Sequence, residues 1–181
     1  MRPPAMLIAS LLLTAAPAAA QSPPPAPAAS PPACATPEYR QFDFWVGRWD
    51  VYPTGSDKLV AHSLIERLYG GCAIRENWMP LTGGGGGSLS NYVAGEKGWR
   101  QTWLDSTGAR VEFTGGRIGE AMVITGSWPG AVTPGQAALV RMTYTAAADG
   151  SVRQFGEAST DGGKTWATNF DFTYRPAKAT P

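Results

Sequence analysis

The chain has 181 residues, 43% of them hydrophobic, and its 15 basic and 14 acidic residues give a formal net charge of +1. This balance offers no electrostatic reason to expect nucleic acid or an anionic membrane as a partner, since both require clustered positive charge. The chain also has only two cysteines and one histidine, none closely spaced. These do not make a zinc site, so we expect no metal and no cofactor.

Residues 1–20 have the pattern of a secretory signal peptide, with an early arginine, an apolar run over 5–13 and three alanines before a cleavage site at Gln21. The apolar run is shorter than the roughly 20 residues that a membrane-spanning helix needs. We therefore expect an exported protein, periplasmic or secreted, with no integral membrane segment once the signal is removed. An uncleaved membrane anchor is the alternative.

Three segments follow the signal peptide. Residues 21–37 consist largely of Pro, Ala and Ser and predict an extended linker with little to bury. Residues 38–175 have the size of one domain and are long enough for a substantial core. Residues 176–181 are expected to form a disordered tail.

The two cysteines, Cys34 and Cys72, lie at the end of the linker and between two predicted strands. In an exported protein an even pair suggests one disulfide. Closing a loop of nearly forty residues would stabilise the fold by about 3 to 4 kcal/mol and attach the linker to the domain. Two unpaired thiols are the alternative.

The first strand is expected to begin at Gly47-Arg48-Trp49, where glycine lets the chain turn and the indole of Trp49 can plug one end of a rolled sheet. From there the sequence consists of short alternating runs rich in β-branched and aromatic residues, with turn residues about every ten positions. This pattern is typical of an antiparallel sandwich or barrel. Ten strands are predicted, over residues 48–52, 59–68, 73–78, 88–94, 98–105, 110–114, 121–127, 138–145, 151–159 and 165–174.

Short turns such as Gly70-Gly71, Gly115-Gly116 and Asp149-Gly150 separate these strands and supply residues that accept positive φ. Short connections favour up-and-down order, and closing ten strands removes the exposed edges. We therefore predict an all-β fold, an antiparallel up-and-down barrel of about ten strands that is wide enough for an interior cavity. Outside the strands, only residues 39–45 are expected to form a short helical turn.

Five motifs follow one another along the chain: Phe42-Asp43-Phe44-Trp45-Val46-Gly47-Arg48-Trp49, Ile65-Glu66, Gly70-Gly71-Cys72, Glu76-Asn77-Trp78 and Trp99-Arg100-Gln101-Thr102-Trp103-Leu104-Asp105. Through them, residues 39–175 resemble exported bacterial proteins of unknown function that form a calycin, or lipocalin-like, barrel. Gly47-x-Trp49 also matches the lipocalin first-strand motif, whose tryptophan packs near a basic residue at the barrel end. The resemblance implies that Trp49 and Arg175 close that end as structural residues.

A more distant similarity is to nitrobindin-type barrels, which have ten strands and bind haem through a histidine near the C-terminus. The chain departs from that pattern, because its one histidine, His62, falls on the second predicted strand. Near the C-terminus only Tyr174, a weaker oxygen ligand, could replace the imidazole. We therefore expect no haem.

Side-chain alternation on the fifth predicted strand places Trp99, Gln101, Trp103 and Asp105 on one face. Aromatic rings interleaved with amide and carboxylate groups suit a cavity that stacks a planar or sugar-like ligand and hydrogen-bonds its edge. The expected ligand-binding residues are Glu76, Trp78, Gln101 and Trp103, followed by Asn91, His62 and Arg141. The alternative is that the tryptophans fill the barrel as a packed core.

Two loops have distinctive sequences. The five consecutive glycines at 83–87 are expected to be mobile, as a slack hairpin or a flap at the barrel mouth, because ordering glycine has a high entropic cost. Ser159-x-Asp161-x-Gly163-x-Thr165-Trp166 fits the Asp-box hairpin pattern of sialidases, and we expect it to be a structural turn.

We therefore expect a protein that binds an unidentified small organic molecule without transforming it, and we assign no catalytic residue. One alternative is a small hydrolase or isomerase, in which Glu76 works with a second inward carboxylate such as Glu66 or Glu112. Another alternative is a structural or interaction module of the cell envelope, with a solid interior and an apolar outer patch.

Overall fold

A computed structural model describes residues 33–178. The predicted signal peptide, residues 21–32 of the linker and residues 179–181 of the tail lie outside the described residues. No helix in the described part of the chain is long and apolar enough to cross a membrane.

Ten strands form the domain, preceded by two 3-10 helices, Pro37–Arg40 and Asp43–Trp45. A third 3-10 helix, Tyr69–Gly71, connects the second and third strands. The strands are β1 (Gly47–Pro53), β2 (Ala61–Leu68), β3 (Ala73–Pro80), β4 (Gly86–Val93), β5 (Gly98–Asp105), β6 (Arg110–Ile118), β7 (Ala121–Pro129), β8 (Ala137–Ala146), β9 (Val152–Ser159) and β10 (Ala167–Pro176).

The strands close into a barrel. Each strand pairs antiparallel with the next one in the chain, and β1 pairs with β10, for example Val51 with Tyr174. The prediction of an antiparallel up-and-down barrel of ten strands is therefore confirmed, and the order is consistent with a calycin-like fold. Closure leaves none of the ten strands with an unpaired edge.

The interior follows from the two-residue period of the strands. On β8, for example, Ala138, Val140, Met142 and Tyr144 are buried, while the residues between them face outward. Because every strand pairs with both neighbours, the inward rows of all ten strands meet along the barrel axis. The core therefore consists of alternate residues from the whole sequence.

Aromatic side chains plug the barrel end at which β1 begins. Phe42 stacks on Trp45 with ring centroids 4.9 Å apart, and Trp45 packs on Tyr144 at 4.8 Å. Trp49 is buried, and its indole N–H donates to the Trp45 carbonyl oxygen at 2.9 Å. We call this the plugged end, and the opposite end, where β4 begins at Gly86, the open end.

Arg175 lies on the outer wall and does not face the Trp49 indole, contrary to the expectation. Its neighbour Tyr174 is buried in the interior, and successive residues of a strand point to opposite faces. The Arg175 guanidinium donates to Asp57 Oδ1 at 2.8 Å and lies 4.4 Å from the centre of the Tyr52 ring.

Two contacts attach the N-terminal segment to the plugged end. Cys34 and Cys72 form a disulfide, with their Cα atoms 5.0 Å apart. The Arg40 guanidinium donates to the carbonyl oxygens of Cys34 and Gly71. The end of the predicted linker is therefore part of the folded domain.

Two glycine pairs predicted as turn or mobile residues belong to strands. Gly115 and Gly116 lie inside β6, paired with Ile124 and Val123, and the turn falls instead at Gly119. Gly86 and Gly87 belong to β4. β6 continues through its glycine pair, and β4 begins at the other. At Gly86, Gly87 and Gly115 the neighbouring backbone comes so close that only glycine fits. A Cβ at Gly115 would lie 2.0 Å from the Val123 carbonyl oxygen.

Candidate functional site

The barrel interior contains a cavity between the aromatic plug and the open end. Its volume is about 160 Å³. This space is enough for several water molecules or for one small organic molecule. The lining residues are Glu76, Trp78, Gln101, Trp103, Phe113, Trp128, Met142, Tyr144, Gln154, Phe170, Phe172 and Tyr174.

Aromatic rings form the wall near the open end. Trp103 packs on Trp128 with centroids 6.1 Å apart, and Trp78 packs on Phe172 at 5.7 Å. Phe170 stacks on Phe172 at 5.5 Å. These five side chains are only partly buried, because they lie in the half of the barrel toward the open end. They therefore make an apolar entrance that exposes ring faces to a ligand.

Glycines on neighbouring strands make room for these rings. A Cβ at Gly86 would lie 2.6 Å from the Trp103 ring, and a Cβ at Gly156 would lie 2.4 Å from the Phe170 ring. Both contacts are far shorter than carbon atoms tolerate. The two rings can therefore lie flat against the barrel wall only because these positions have no side chain.

The cavity floor is polar and contains the carboxyl group of Glu76. Glu76 lies in the middle of β3 and is only 5% exposed. The hydroxyl groups of Ser63 and Ser88 donate to its two oxygens at 3.2 and 3.3 Å. Burial raises the pKa of Glu76 to about 7, and these hydrogen bonds offset only part of that effect.

A chain of hydrogen bonds continues from Glu76 across the floor. The Tyr174 hydroxyl donates to Gln154 Oε1 at 2.6 Å, and Gln154 Nε2 donates to the Tyr144 hydroxyl at 2.9 Å. The Tyr174 oxygen also lies 3.4 Å from Glu76 Oε1. Since its one proton is directed at Gln154, the contact with Glu76 is best satisfied when the carboxyl itself is protonated.

The other floor groups are neutral. Gln101 Nε2 donates to the Ser90 hydroxyl at 2.9 Å. Burial raises the pKa values of Tyr144 and Tyr174 well above that of a free tyrosine, so both keep their protons at neutral pH. Among the described lining residues, the floor therefore offers several hydrogen-bond donors and acceptors but one group, Glu76, that changes charge near neutrality.

Four of the seven expected ligand residues line the cavity: Glu76, Trp78, Gln101 and Trp103. They come together because β3 and β5 both pair with β4, which brings their inward rows close. Whether these residues bind a ligand stays a prediction.

Asn91, His62 and Arg141 face outward and do not line the cavity. His62 Nδ1 lies 2.8 Å from Asp50 Oδ1 on the outer wall. Arg141 donates to Glu157 and lies over the Trp166 ring. Each of the three lies between two inward-facing residues of its own strand. Because successive side chains point to opposite faces, the expectation that these three residues line the cavity is corrected.

Sequence reasoning missed eight lining residues, among them Gln154, Tyr144 and the β10 row of Phe170, Phe172 and Tyr174. The i, i+2 spacing of that row was a usable signal, since it marks one face of a strand. Gln154 had no such signal, because its role depends on neighbours from β8 and β10.

The geometry does not assemble a pair of catalytic carboxylates. Glu66 pairs with Arg75, and Glu112 pairs with Arg110, both on the outer wall. Asp105 lies at the open end, where its carboxylate accepts from the Trp103 indole at 3.2 Å and from the backbone of Thr107. Among the described lining residues, Glu76 is thus the one carboxylic acid.

The Asp-box sequence forms a hairpin turn outside the cavity. Asp161 Oδ1 accepts from the backbone N–H groups of Lys164 and Thr165, each at 2.9 Å. The Trp166 indole donates to the Gly163 carbonyl oxygen at 3.0 Å. All of these groups are used to hold the turn, which fits a structural role.

No protein-family model matches the chain, and no curated protein matches it in sequence.

Proposed function

We propose that this protein binds a small organic molecule in the barrel cavity and does not transform it. The observation that carries the proposal is the combination of an apolar aromatic entrance with a polar floor in one partly open cavity. Binding sites for small molecules are typically concave, mostly apolar and equipped with a few convergent polar groups.

The ligand should be small and planar. The cavity volume of about 160 Å³ suits a ligand of one or two rings. The faces of Trp78, Trp103 and Trp128 would stack on the ring, and Glu76 and Gln101 would hydrogen-bond its edge.

The test is an NMR titration of the tryptophan indole N–H signals with benzyl alcohol and indole as probes. We expect the signals of Trp78, Trp103 and Trp128 to shift in a saturable manner. Trp166 provides an internal control, since it lies on the outer wall against Arg141. Its signal should stay in place.

The matched variants are Trp103→Ala and Trp166→Ala. Loss of the Trp103 ring should weaken probe binding by about tenfold, because a stacking surface is removed. Loss of the Trp166 ring should change the affinity by less than about twofold. Saturable binding that leaves the three cavity indoles unshifted would contradict the proposal.

We also propose that the protein is exported and belongs with the calycin-type exported barrels of unknown function. The disulfide Cys34–Cys72 supports this, since such bonds form in oxidising compartments. N-terminal sequencing of the mature protein should give Gln21 as its first residue. A mature protein that still begins at Met1 would contradict export by signal cleavage.

An isomerase is the second candidate, and one observation favours it. The buried carboxyl of Glu76, with a pKa of about 7, borders the cavity and could serve as an acid or base. A hydrolase with two carboxylates would need a second acid, which the described lining residues do not provide. Turnover of a bound compound that disappears in Glu76→Gln would favour the isomerase.

A structural module of the cell envelope would instead use the outer wall. Met79, Leu89 and Leu104 are exposed there on β3, β4 and β5. In that case no small molecule would shift the cavity indoles in the NMR titration.

A further inference from the structure

The described lining of the cavity includes an acidic side chain but no basic one. Among the described lining residues there is one carboxylic acid, Glu76, and no Lys, Arg or His. The ion pairs of residues 33–178 lie elsewhere, and none of them includes Glu76. A ligand with a carboxylate or phosphate group would meet this acid with no positive charge to balance it, which is costly in a buried site.

The Glu76 carboxyl lacks the partner that an ionised buried carboxylate needs. Its contacts are three hydroxyl groups, from Ser63, Ser88 and Tyr174, at 3.2 to 3.4 Å. Charge-assisted hydrogen bonds from a hydroxyl group to a carboxylate are usually shorter, about 2.5 to 2.7 Å. The site is therefore incomplete for the charged form.

The titratable groups around the carboxyl do not supply that charge. Tyr174 of β10 and Tyr144 of β8 are the titratable neighbours, and both stay neutral because burial raises their pKa values. The remaining neighbours, from β2, β4, β5 and β9, are Ser63, Ser88, Gln101 and Gln154. When the carboxyl is ionised, the described residues around it supply no counter-charge, and a bound cation can provide it.

The walls above the carboxyl suit a cation. The ring faces of Trp78, Trp103 and Trp128 border the same space. Indole faces attract cations, and the attraction grows when the site is desolvated. An amine attached to an aromatic ring would satisfy both parts of the cavity at once.

We propose that the ligand is a small aromatic cation, with its ring among the indoles and its protonated nitrogen paired with the carboxylate of Glu76. This inference rests on the proposed binding function and names the ligand class. When the acid starts protonated, binding releases its proton to the solvent, and the bound pair is carboxylate and ammonium. The cavity therefore selects amines over carboxylic acids of the same shape.

The test is calorimetric titration of the full chain with benzylamine, benzyl alcohol and benzoate, which share one ring and differ in charge. We expect benzylamine to bind at least about tenfold more tightly than benzyl alcohol near pH 8, and benzoate to bind most weakly. Titrations near pH 5.5 in buffers of different ionisation enthalpy should show release of about one proton per benzylamine, and near pH 8.5 almost none.

The matched variants are Glu76→Gln and Glu112→Gln, the same change in the cavity and on the outer wall. Glu76→Gln should lower the affinity for benzylamine by about tenfold or more and change the affinity for benzyl alcohol by less than about twofold. Glu112→Gln should change neither, since Glu112 is exposed and paired with Arg110.

The outcomes separate the two proposals. If benzyl alcohol binds in the cavity but benzylamine binds no better, or without proton release near pH 5.5, the cation inference fails and the binding function stands. If none of the three probes binds, both fail. The proton count is measured on the unaltered chain, so it decides the matter even where Glu76→Gln does not fold.

Discussion

Glu76 lies in the middle of β3 and is 5% exposed, and its neighbours among residues 33–178 are hydroxyl and amide groups rather than cations. At the scale of single residues this is the group that gives the cavity its chemistry. Its environment has a measurable cost, because the folded protein holds a proton that the unfolded chain releases near its ordinary pKa of 4.5. The stability of the protein must therefore depend on pH through this residue.

We predict that Glu76 makes the protein less stable as pH rises from about 4.5 to about 7. A raised pKa means that the stabilising contribution is complete below the pKa of the unfolded chain and is lost as pH rises through the folded value. Within this window the free energy of unfolding should fall by up to about 1.4 kcal/mol per pH unit, relative to Glu76→Gln. Urea denaturation of both proteins across this range measures the difference.

The control for this prediction is Glu112→Gln. The hydroxyl of Thr102 and the nearby Arg110 lower the pKa of Glu112, so it is ionised in both states across most of the window. The stability difference between this variant and the parent should stay flat above about pH 5. A flat difference for Glu76→Gln as well would show that the buried carboxyl is ionised in the folded protein.

Strand alternation and close approach between neighbouring strands shape the cavity at the scale of elements. On β5, Trp99 and Gln101 are buried and Trp103 lines the entrance, while Arg100 and Leu104 face solvent. Gly86 on β4 pairs across from Asp105 and leaves space for the Trp103 ring. The entrance therefore depends on a residue without a side chain as much as on the aromatic rings.

We predict that Gly86→Ala destabilises the protein by about 1 to 3 kcal/mol. The new Cβ would lie 2.6 Å from the Trp103 ring and 2.7 Å from the Leu104 carbonyl oxygen, so a ring and a backbone would both have to move. Gly95→Ala is the matched control, because its Cβ would meet no atom within 4 Å. That variant should stay within about 0.5 kcal/mol of the parent in urea denaturation, and equal stability of the two variants would contradict the packing argument.

The elements were predictable from sequence because their signal is local. Alternation and turn residues gave ten strands in the right order, and the face of Gln101 and Trp103 followed from spacing alone. The glycines were misjudged, since Gly86 and Gly115 look like turn residues when the chain is considered one segment at a time. Glycine is required at these positions because atoms of a neighbouring strand lie too close for a side chain, and the local sequence does not show which strand is the neighbour.

The barrel as a whole is closed by the pairing of β1 with β10, and a disulfide holds the N-terminal segment at the plugged end. Phe42 and Trp45 belong to that segment and fill the interior beneath the cavity. The disulfide therefore affects how firmly the plug is held, while the ten strands pair without it. Closure and plug together leave the open end as the entrance to the cavity.

We predict that Cys34→Ala with Cys72→Ala lowers the free energy of unfolding by about 3 to 4 kcal/mol. The bond joins residues 38 positions apart, and removing it restores loop entropy to the unfolded chain. The far-ultraviolet circular dichroism should keep its strand character, since no strand pairing depends on either cysteine. Unchanged stability, or loss of the barrel signal under native conditions, would contradict this division of roles.

The site was only partly predictable, because it depends on which strands become neighbours in space. Glu76 and Gln101 could be assigned to the interior from their own strands, but Gln154 becomes a floor residue only through Tyr144 and Tyr174. His62, in contrast, was chosen for its chemistry, and its position on β2 turns it toward Asp50 on the outer wall. The chemistry of a side chain makes it a candidate for the site, but its inward or outward position on the strand decides whether it reaches the cavity.

The central claim is that the cavity binds a small molecule, and native mass spectrometry of the protein purified from its own cells tests it most directly. We expect the native mass to exceed the denatured mass by that of one small aromatic compound, carrying a basic nitrogen. The extra mass should disappear when benzylamine or indole is added in excess, because the cavity holds one such ring. Equal native and denatured masses, together with no response of the cavity indoles to any of the probes, would contradict the claim.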